Sequence, residues 1–373
     1  MKITIIIHDL RGGGAEKMMV RLANQLAVMG YDVEMILLMG GGSNIGYLSS
    51  SVTLTELNAS RTMQAFFPLR SRLKQSNPDL ILAALTHVNV ITAITSASLG
   101  WLNRLSVSER NTYSLDKRVN SNSTMKVVYA IAPYIYRLLP NPVITVSQGV
   151  ADDLVACSVM RESDVITAPN PVITEQTITA ACEAAKHPWL CVKTTKVIVG
   201  VGRLSHQKGF DMLINAFWHI RNEVDAKLII FGEGELKEVL LSQIRYLKLE
   251  KRVSLAGYTS NPIAEIKQAD VFVLSSRFEG SPNVLVEAMS VGTPVVAFDC
   301  PSGPSEILDG GYIAPLISNG SVRELAKAVR NSISTAKTDT EKRKRIRAVS
   351  RFTSANSANQ YLRILNGKNI YDN

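Results

Sequence analysis

The sequence predicts an α/β protein made of two doubly wound domains, each with a parallel sheet covered by helices. Three observations lead to this prediction. Short runs of β-branched and other apolar residues alternate with longer segments of helical period, which favours parallel sheets over hairpins. This alternation begins again near residue 196, and 373 residues exceed what one ordinary core needs. The composition, with 46% hydrophobic and 20% charged residues, is that of a globular chain.

The first half reads as a strand, a glycine turn, a helix and a second strand, with further strands and helices after them. The spacing of Met18, Leu22 and Leu26 predicts the first helix, which we place between Glu16 and Met29. Asn77 precedes a proline and therefore ends the helix before the third strand. The predicted strands are Ile3–Ile7, Val33–Leu38, Leu80–Leu85, Arg104–Ser108 and Val143–Val146, and Asn170–Pro171 closes another strand-like stretch.

The second half repeats the same alternation. Its predicted strands are Val197–Val201, Lys227–Phe231, Val253–Ala256, Val271–Leu274 and Pro294–Phe298. We expect an N-terminal domain over residues 1–175, a linker over 176–195, where no clear strand occurs, and a C-terminal domain over 196–353. A final helix within residues 354–373 is a candidate to pack back on the first domain. Open sheets of this kind bind ligands beyond the carboxyl ends of their strands, so two facing domains predict a cleft for two substrates.

The charge is unevenly distributed along the chain. The net charge is +9, and the first 185 residues carry 15 Lys and Arg against 14 Asp and Glu, which leaves 26 against 18 for the rest. Part of the basic excess is the run Lys342–Arg345 with Arg347, interpreted as a solvated helix face or as a segment attracted to an anionic membrane surface. No aromatic residues interleave with that run, which argues against a nucleic-acid partner.

The sequence predicts a cytoplasmic protein. Its four cysteines have no paired spacing, so neither a disulfide framework nor a zinc cluster is expected. The segment Met1–His8 is interpreted as a buried strand and not as a signal peptide. The apolar stretch Leu80–Leu102 is interrupted by polar residues, which argues against a membrane span. The segment Val127–Leu139 is either an amphipathic docking surface or an internal core helix.

Two loops at predicted strand ends carry residues suited to anions. After the first strand, Gly12–Gly14 lets a ligand approach the backbone at the start of a helix, and the alternative is a simple tight turn. A dinucleotide fingerprint would need glycine where Lys17 stands. In the second half, Arg203 and Lys208 follow a strand that ends in Gly202, and two cations there suit a diphosphate. The alternative is a pair of surface cations.

The segment Ser276–Met289 is the most informative constellation. Ser281 is a good N-cap and Pro282 a good first helical residue, so we expect a helix to begin there, with free backbone amides around Asn283, Val284 and Leu285 facing a phosphate. Glu279 then lies in the preceding loop and Glu287 in the second turn. Their carboxylates can accept hydrogen bonds from sugar and ribose hydroxyls, although an arbitrary pair of glutamates is more often solvated.

These residues resemble the retaining glycosyltransferases of family four, which have the GT-B fold of two facing Rossmann-like domains. Glu279 and Glu287 reproduce the motif of two glutamates separated by seven residues. The likeness covers residues 196 to 310 densely, through Gly202–Arg203, Lys208–Gly209, Gly232–Gly234, Gly257–Tyr258, Gly292–Val296 and Gly303–Ile307. In the first half it is thinner and rests on Gly13–Glu16, Ser108–Asn111 and Asn170–Pro171, which are similar to bacterial polysaccharide-building members.

The resemblance implies a role for each candidate residue. Arg203 and Lys208 would hold the diphosphate, Glu287 the ribose and Glu279 the transferred sugar. The nucleobase would meet Gly232–Gly234 and the backbone near Tyr258, and Gly14 would approach the phosphates from the other domain. His87 stands where such enzymes place a histidine against the donor sugar, although an ordinary strand-end histidine is the competing interpretation.

The resemblance also implies the partners. We expect a nucleotide-diphosphate sugar, with UDP favoured, and a glycan or polyprenyl-diphosphate-linked acceptor in surface polysaccharide synthesis at the inner membrane face. No Asp-x-Asp motif occurs, and no metal or other cofactor is expected. The alternatives are another GT-B enzyme, such as a sugar-nucleotide epimerase or a phosphorylase, and a non-catalytic protein that binds nucleotide sugars or glycans. An NAD-linked oxidoreductase fits less well.

Overall fold

Two parallel sheets form the framework of the chain in the computed structural model, which describes residues 1–11, 13–119, 123–335 and 338–367. The strands of the first sheet are β1 (Lys2–Ile7), β2 (Asp32–Leu37), β3 (Thr53–Glu56), β4 (Leu80–Ala84), β5 (Leu105–Glu109), β6 (Val143–Thr145) and β7 (Val165–Thr167). Those of the second sheet are β8 (Lys196–Val201), β9 (Ala226–Phe231), β10 (Val253–Gly257), β11 (Val271–Leu274), β12 (Val295–Asp299) and β13 (Leu316–Ser318).

The helices alternate with these strands. The first ones are α1 (Gly14–Val28), α2 (Phe66–Ser76), α3 (Thr86–Ala97), α4 (Tyr113–Val119), α5 (Ser123–Tyr136) and α6 (Gln148–Ala156). They are followed by α7 (Glu175–Ala180), α8 (Pro188–Cys191), α9 (Phe210–Ile220), α10 (Lys237–Tyr246), α11 (Pro262–Gln268) and α12 (Asn283–Ser290). The last ones are α13 (Pro304–Ile307), α14 (Val322–Ser334), α15 (Asp339–Ala348) and α16 (Ser354–Leu365). None of these helices is both long and apolar enough to span a bilayer.

The first sheet has the order β3-β2-β1-β4-β5-β6-β7, with parallel pairing throughout, so its strand order reverses between β1 and β4. Helices cover both faces. Ile3, Ile5 and Ile7 of β1 pack with α1 and α16 on one face, whereas Ile6 packs with α2, α3 and α5 on the other. Burial on both sides explains why the sequence of β1 is continuously apolar and does not alternate.

The second sheet has the order β10-β9-β8-β11-β12-β13 and reverses between β8 and β11. Ile198 of β8 and Ile230 of β9 share a core with Phe217 of α9 and Leu325 of α14. In a doubly wound sheet, the loops after the two strands at the reversal diverge to opposite faces and leave room for a ligand. The loops that follow β8 and β11 are therefore the place to look for a site.

The chain divides into two compact units: unit 1 comprises Met1–Pro171 and Phe352–Asn373, and unit 2 comprises Val172–Arg351. The segment expected to be a linker, residues 176–195, lies in unit 2 and contains part of α7 and all of α8. The backbone amides of Lys186 and His187 donate to the carboxylate of buried Glu265 at 2.9 and 3.4 Å. This carboxylate anchors the segment, and no feature of the segment's own sequence indicates that.

The C-terminal helix α16 belongs to unit 1 and packs against α1. Its apolar side chains, Tyr361, Leu362 and Leu365 among them, complete the core that α1 shares with β1 and β2. Tyr361 also accepts a hydrogen bond from Arg110 at 2.8 Å, and Ser357 donates to the carbonyl of Pro169 at 2.6 Å. Unit 1 is thus closed by residues more than 180 positions away in sequence.

Candidate active site

An ion pair joins the loops at the reversal point of the second sheet. Lys208 lies in the turn after β8 and Glu279 in the loop after β11. The Nζ of Lys208 donates to Oε1 of Glu279 at 2.6 Å. The sequence assigned these residues to different parts of a ligand, and the structure brings their charged ends together. The strands β8 and β11 are hydrogen-bonded neighbours, so their carboxyl ends deliver both residues to one place.

Glu279 is more enclosed than its sequence context indicated. Only 6% of the residue is exposed, and the same Oε1 accepts a hydrogen bond from Ser276 Oγ at 2.6 Å. The backbone amide of Glu279 donates to the carbonyl of Pro301 at 3.1 Å. Nearby, burial, and then the negative charge of Glu279, raise the pKa of the Cys300 thiol to about 12. The carboxylate is therefore held in a fixed orientation by its own chain.

Further hydrogen bonds connect the two loops. Gln207 accepts from the backbone amide of Arg277 at 2.7 Å through its carbonyl, and its side chain donates to the carbonyl of Phe278 at 3.1 Å. Arg277 also makes a bidentate pair with Asp211 of α9, at 2.9 and 2.7 Å. Burial pushes the pKa of Asp211 upward, but the hydrogen bonds and charge of Arg277 outweigh it and hold the pKa below its usual range. Lys208 and Glu279 thus sit on loops that are fixed to each other.

Sequence reasoning missed Ser276, Gln207, Asp211 and the pairing role of Arg277. The Ser-x-x-Glu spacing of Ser276 and Glu279 was the one local signal available, because a serine hydroxyl three positions away readily reaches a carboxylate. Asp211 and Arg277 are separated by 66 positions, and nothing in either neighbourhood indicates their contact.

The glycines after β8 and β9 allow two backbone segments to cross. Gly232 has φ +141°, and a Cβ on it would lie 1.8 Å from the carbonyl oxygen of Gly202. A Cβ on Gly234 would lie 2.4 Å from the carbonyl of Leu204. The side chain of Lys208 also lies against Gly202, with the Cγ atom 3.1 Å from the position of a Cβ. We predicted that these glycines approach a ligand, and the structure shows that they also permit the close contact of their own loops.

Arg203 and Tyr258 are exposed at the same edge of the sheet. Arg203 follows β8 and lies on the surface, and Tyr258 follows β10 with 76% of its area exposed. The strands β8 and β10 both pair with β9, so Arg203, predicted to bind diphosphate, and Tyr258, predicted to lie near the nucleobase, follow strands that flank β9. Their assignment to those roles stays a prediction.

Helix α12 begins differently from the prediction. Its first residue is Asn283, and Pro282, with ψ 89°, stands outside the helix as its N-cap. No side chain caps this end, so the expected Ser281 cap is wrong. The amide of Leu285 is also not free, since it donates to the carbonyl of Pro282 at 3.0 Å. Pro282 packs against Gly303, where a Cβ would lie 2.4 Å from Cδ of the proline, and this packing fixes the entry to the helix.

One face of α12 nevertheless presents the predicted residues. Asn283, Val284 and Glu287 are half-buried, whereas Leu285, Val286, Ala288 and Met289 are buried in the core. Positions three and four apart lie on the same side of a helix, which places Glu287 next to the other two. Glu287 and Glu279 therefore differ in environment, because Glu287 is partly accessible and Glu279 is enclosed.

In unit 1, Gly14 and His87 lie near the carboxyl ends of neighbouring strands. Gly14 is exposed and opens α1, while Gly12 lies outside the described residues. The carboxylate of Glu16 lies over the glycine turn, 1.9 Å from where a Cβ of Gly13 would stand. An acidic group in the first turn of α1 occupies the place where the glycines were predicted to receive an anion.

His87 is the second residue of α3 and not a strand-end residue, because β4 ends at Ala84 and Leu85 turns the chain with φ +84°. Its ring meets the ring of His8 edge to face, with centroids 4.7 Å apart. Burial, followed by the charge of His8, lowers the pKa of His87 to about 4. His87 is therefore a neutral imidazole near pH 7.

A buried polar cluster around Glu109 was not anticipated. Glu109 ends β5 and accepts hydrogen bonds from Tyr136, from Thr86 Oγ1 at 2.9 Å and from Asn89 Nδ2 at 3.3 Å. Burial raises the pKa of Glu109 to about 7, although the hydrogen bonds from Tyr136 and Thr86 work in the opposite direction. Thr86 and Asn89 flank His87, so the cluster fixes the helix start on which that histidine stands. Within the described ranges, no three His, Cys, Asp or Glu side chains gather as a metal site would require.

Two family models match almost the entire chain. The model described as Glycosyltransferase Family 4 matches residues 12–176, and the model described as Glycosyl transferases group 1 matches residues 183–351. The second match contains Arg203, Lys208, Glu279 and Glu287. The first contains Gly14 and His87.

Individual relatives agree with these matches. An uncharacterised glycosyltransferase of Methanocaldococcus jannaschii is 44% identical over 117 residues, which are 31% of this chain and 29% of that protein. The Campylobacter jejuni N-acetylgalactosamine-N,N'-diacetylbacillosaminyl-diphospho-undecaprenol 4-alpha-N-acetylgalactosaminyltransferase is 29% identical over 320 residues, 82% of this chain and 83% of that protein. The crystal structure of Anabaena HepE in complex with UDP-glucose matches with a TM-score of 0.79 at 22% identity, covering 98% of this chain and 100% of HepE. The shared architecture confirms the predicted fold of two Rossmann-like domains.

Proposed function

Because this chain belongs to the GT-B glycosyltransferases of group 1 and family four, we propose that it is a retaining enzyme that transfers a sugar from a UDP-sugar to a lipid-linked glycan acceptor. The pairing of Lys208 with Glu279 at the reversal point of the second sheet carries this proposal. A cation beside an enclosed carboxylate supplies two different contacts within a few ångströms. The cation suits the diphosphate, and the carboxylate suits hydroxyl groups of the sugar.

In this proposal Lys208 gains a second partner when the donor binds. Its ammonium group carries three donor hydrogens, so it can contact a diphosphate oxygen while it remains near Glu279. Arg203, which is exposed in the same loop, adds a second cation. Charge develops on the leaving diphosphate as the glycosidic bond breaks, and fixed cations stabilise that charge more than they stabilise the bound donor. Glu287, on the partly accessible face of α12, holds the ribose.

The bond changes balance without a covalent enzyme intermediate. The acceptor oxygen attacks the anomeric carbon on the face from which the diphosphate departs, so one C–O bond forms as the other breaks. The acceptor proton passes to an oxygen of the departing diphosphate. Among the residues assigned here, neither Glu279 nor Glu287 is placed as a nucleophile on the opposite face, which a double displacement would need. The product then keeps the anomeric configuration of the donor.

The choice of donor and acceptor rests on relatives. HepE, which shares the fold, binds UDP-glucose. The Campylobacter relative is named for transfer to a sugar on diphospho-undecaprenol, an acceptor that resides in a membrane. We therefore propose surface-polysaccharide synthesis at the cytoplasmic face of the membrane, with peripheral membrane contact and without a metal. The absence of an Asp-x-Asp motif supports the last point.

The test is a transfer assay with UDP- and GDP-sugars and an undecaprenyl-diphosphate-linked acceptor, run with and without a chelator. We expect UDP release that needs the acceptor and that survives chelation. The product from an α-linked donor should show the coupling constant of an α-anomer by NMR. A β-linked product would overturn retention, and strict dependence on a divalent ion would overturn metal independence.

Two controls separate this function from its rivals. The first control is incubation without acceptor. An epimerase would still convert the donor sugar, and a phosphorylase would release sugar phosphate once inorganic phosphate is added, whereas a transferase would do neither. Lys208→Met should slow transfer by about two to three orders of magnitude. Arg330→Met, which breaks an exposed ion pair with Glu223 in the same unit, should leave transfer unchanged. Binding of the donor without turnover over the whole acceptor panel would instead support a non-catalytic protein.

A further inference from the structure

Helix α5 is apolar on two opposite sides. Tyr129, Ala132 and Tyr136 face the core of unit 1. On the other side Val127, Ile131 and Tyr134 are 60%, 40% and 62% exposed, and Leu138 follows in the next turn at 78%. The spacing of four and three residues keeps the three helical side chains within about 60° of arc around the helix axis. The helix therefore carries a continuous outward stripe of apolar side chains, which we call the α5 stripe.

The helix that carries the α5 stripe belongs to a layer of three helices. Helix α3 packs against both α2 and α5, and all three cover the same face of the first sheet. Exposed apolar side chains also occur on the other two helices, at Phe67 of α2 and Ile94 of α3. Scattered apolar side chains are normal on a protein surface, but a stripe along one helix with neighbours on the adjoining helices marks a contact surface.

The charge of this layer is strongly positive. Residues 57–151, which include α2 to α5, carry ten Lys and Arg against three Asp and Glu, whereas residues 1–56 carry four against five. One of the three acids, Glu109, and one of the ten bases, Arg110, are buried, which leaves nine basic and two acidic residues. Lys126 and Arg137 lie along one edge of the α5 stripe, about 90° from Val127 around the axis, and both are exposed. This local excess of positive charge is not apparent in the net charge of the first 185 residues, which is close to zero.

We infer that the α5 stripe and its basic edge form the surface by which the protein binds a bilayer containing anionic phospholipid. Apolar side chains on a helix that lies in the interface enter the boundary between headgroups and acyl chains, while long basic side chains at its edge reach the phosphates. The absence of any acidic residue from 117 to 151 suits such a partner. This inference deepens the proposed function, because a lipid-linked acceptor lies in a membrane.

The test is co-sedimentation of the full-length chain with vesicles of equal parts phosphatidylglycerol and phosphatidylcholine, compared with pure phosphatidylcholine. We expect strong binding to the anionic vesicles and weaker binding to the neutral ones. Each basic residue near the surface contributes about a fivefold factor, so Lys126→Gln with Arg137→Gln should weaken binding about 30-fold. The double variant Val127→Gln with Ile131→Gln should bind the anionic vesicles about tenfold more weakly, or more weakly still. Its remaining binding should still decrease with added salt, because the basic residues are unchanged.

Matched controls come from unit 2. Arg343→Gln with Arg347→Gln removes two exposed charges from the basic run of α15, and Val239→Gln with Tyr246→Gln removes two exposed apolar side chains from α10. Both double variants should bind like the unaltered chain. Equal loss in the α15 control, or no binding to anionic vesicles by the unaltered chain, would overturn the inference. So would a dimer in analytical ultracentrifugation that Val127→Gln with Ile131→Gln dissociates, because the stripe would then bind a second copy.

An activity measurement keeps this inference separate from the proposed function. Transfer to a short-chain, water-soluble acceptor should be unchanged in the α5 variants, whereas transfer to the acceptor embedded in vesicles should fall with binding. A chain that binds anionic vesicles through α5 but transfers no sugar to any acceptor would remove the proposed function and leave the membrane surface standing.

Discussion

The two units each enclose a glutamate at the carboxyl end of a strand, and they compensate its burial in opposite ways. Glu279 in unit 2 faces the ammonium group of Lys208 at 2.6 Å and a serine hydroxyl. Glu109 in unit 1 accepts hydrogen bonds from three neutral donors, Tyr136, Thr86 and Asn89. Both residues are nearly inaccessible, at 6% and 3% exposure. The difference lies in the partners and not in the depth of burial.

The comparison indicates what each glutamate is suited to do. A buried carboxylate that is paired with a cation stays ionised and can still accept hydrogen bonds. The cation of the pair can also bind a ligand. A carboxyl group with neutral partners has no compensating charge, so burial raises its pKa to about 7 and the group is partly protonated near neutrality. We therefore expect Glu279 to matter most for transfer and Glu109 to matter most for pH-dependent stability.

The largest expected effect concerns catalysis in unit 2. Lys208→Met should lower kcat by about two to three orders of magnitude, because loss of one fixed charge stabiliser typically costs about 3 kcal/mol of barrier. Arg203→Ala should slow transfer in the same direction, and Glu109→Gln should leave it nearly unchanged. Steady-state kinetics at saturating donor measures this contrast. A Glu109→Gln variant as inactive as Lys208→Met would erase the distinction between the two sites.

The next effect concerns the contribution of the ion pair between Lys208 and Glu279 to the stability of unit 2. Glu279→Gln leaves the mostly buried Lys208 without its partner, and we expect a loss of about 3 kcal/mol in the free energy of unfolding of unit 2. Glu287→Gln removes a partly accessible carboxylate and should change it by less than about 0.5 kcal/mol. The control Glu223→Gln breaks the exposed pair with Arg330 and should cost at most about 1 kcal/mol. Urea unfolding of the three variants decides whether enclosure of the pair matters.

The double variant Lys208→Met with Glu279→Gln sharpens this result. It removes both charges, so part of the stability lost in Glu279→Gln should return. Additive losses would mean that the two side chains do not interact in solution.

The pH dependence of unit 1 should follow Glu109. The folded chain retains the proton on this carboxyl up to about pH 7, against 4.5 for an unperturbed glutamate. Its contribution to stability is therefore complete below pH 4.5 and is lost as pH rises through 7. Glu109→Gln is neutral at every pH, so it should gain on the order of 3 kcal/mol relative to the unaltered chain between pH 5 and 8. If the urea midpoints of the variant and of the unaltered chain changed in parallel between pH 5 and 8, the pKa of Glu109 would not be raised by folding.

The smallest effect should come from His87, and in the opposite direction. Its pKa of about 4 lies below the ordinary 6.5, so its contribution to stability is present above pH 6.5 and is lost as pH falls toward 4. His87→Gln should reduce the acid-side loss between pH 7 and 5 by on the order of 2 kcal/mol or less. The thermal midpoint at these two pH values measures it. An acid-side loss of the same size in the variant would show that His87 is not its source.

The fold was more predictable from sequence than the site. Continuous apolar runs such as Ile3–Ile7 indicated buried parallel strands, and their recurrence after residue 196 indicated the second unit. The strands that escaped prediction were β3 and β13, which lie at the edges of the sheets. Both are short and incompletely buried, so their sequences lack the apolar pattern that marks a central strand.

Within the site, residue types were predictable and their pairings were not. Strand ends and the motif of two glutamates identified Lys208, Glu279 and Glu287 as candidates. The enclosure of Glu279 depends on Ser276 and on Lys208, 71 positions away, and contacts at such separation leave no local pattern. The Ser281 cap failed for a related reason, because the position of Pro282 depends on its packing against Gly303. The polar cluster around Glu109 was overlooked because a single glutamate at the end of a strand does not indicate its buried partners.

Helix α16 has a consequence for the order of events during synthesis. The apolar face of α1 is completed by Tyr361, Leu362 and Leu365, which leave the ribosome after all of unit 2. The first unit to be translated is thus the last to be finished, and α1 stays partly uncovered while more than 300 residues are made. A nascent chain in this state exposes the part of α1 that α16 later covers. Premature termination before Ser354 would leave that surface open permanently, although the residues that we propose for sugar transfer would all be present.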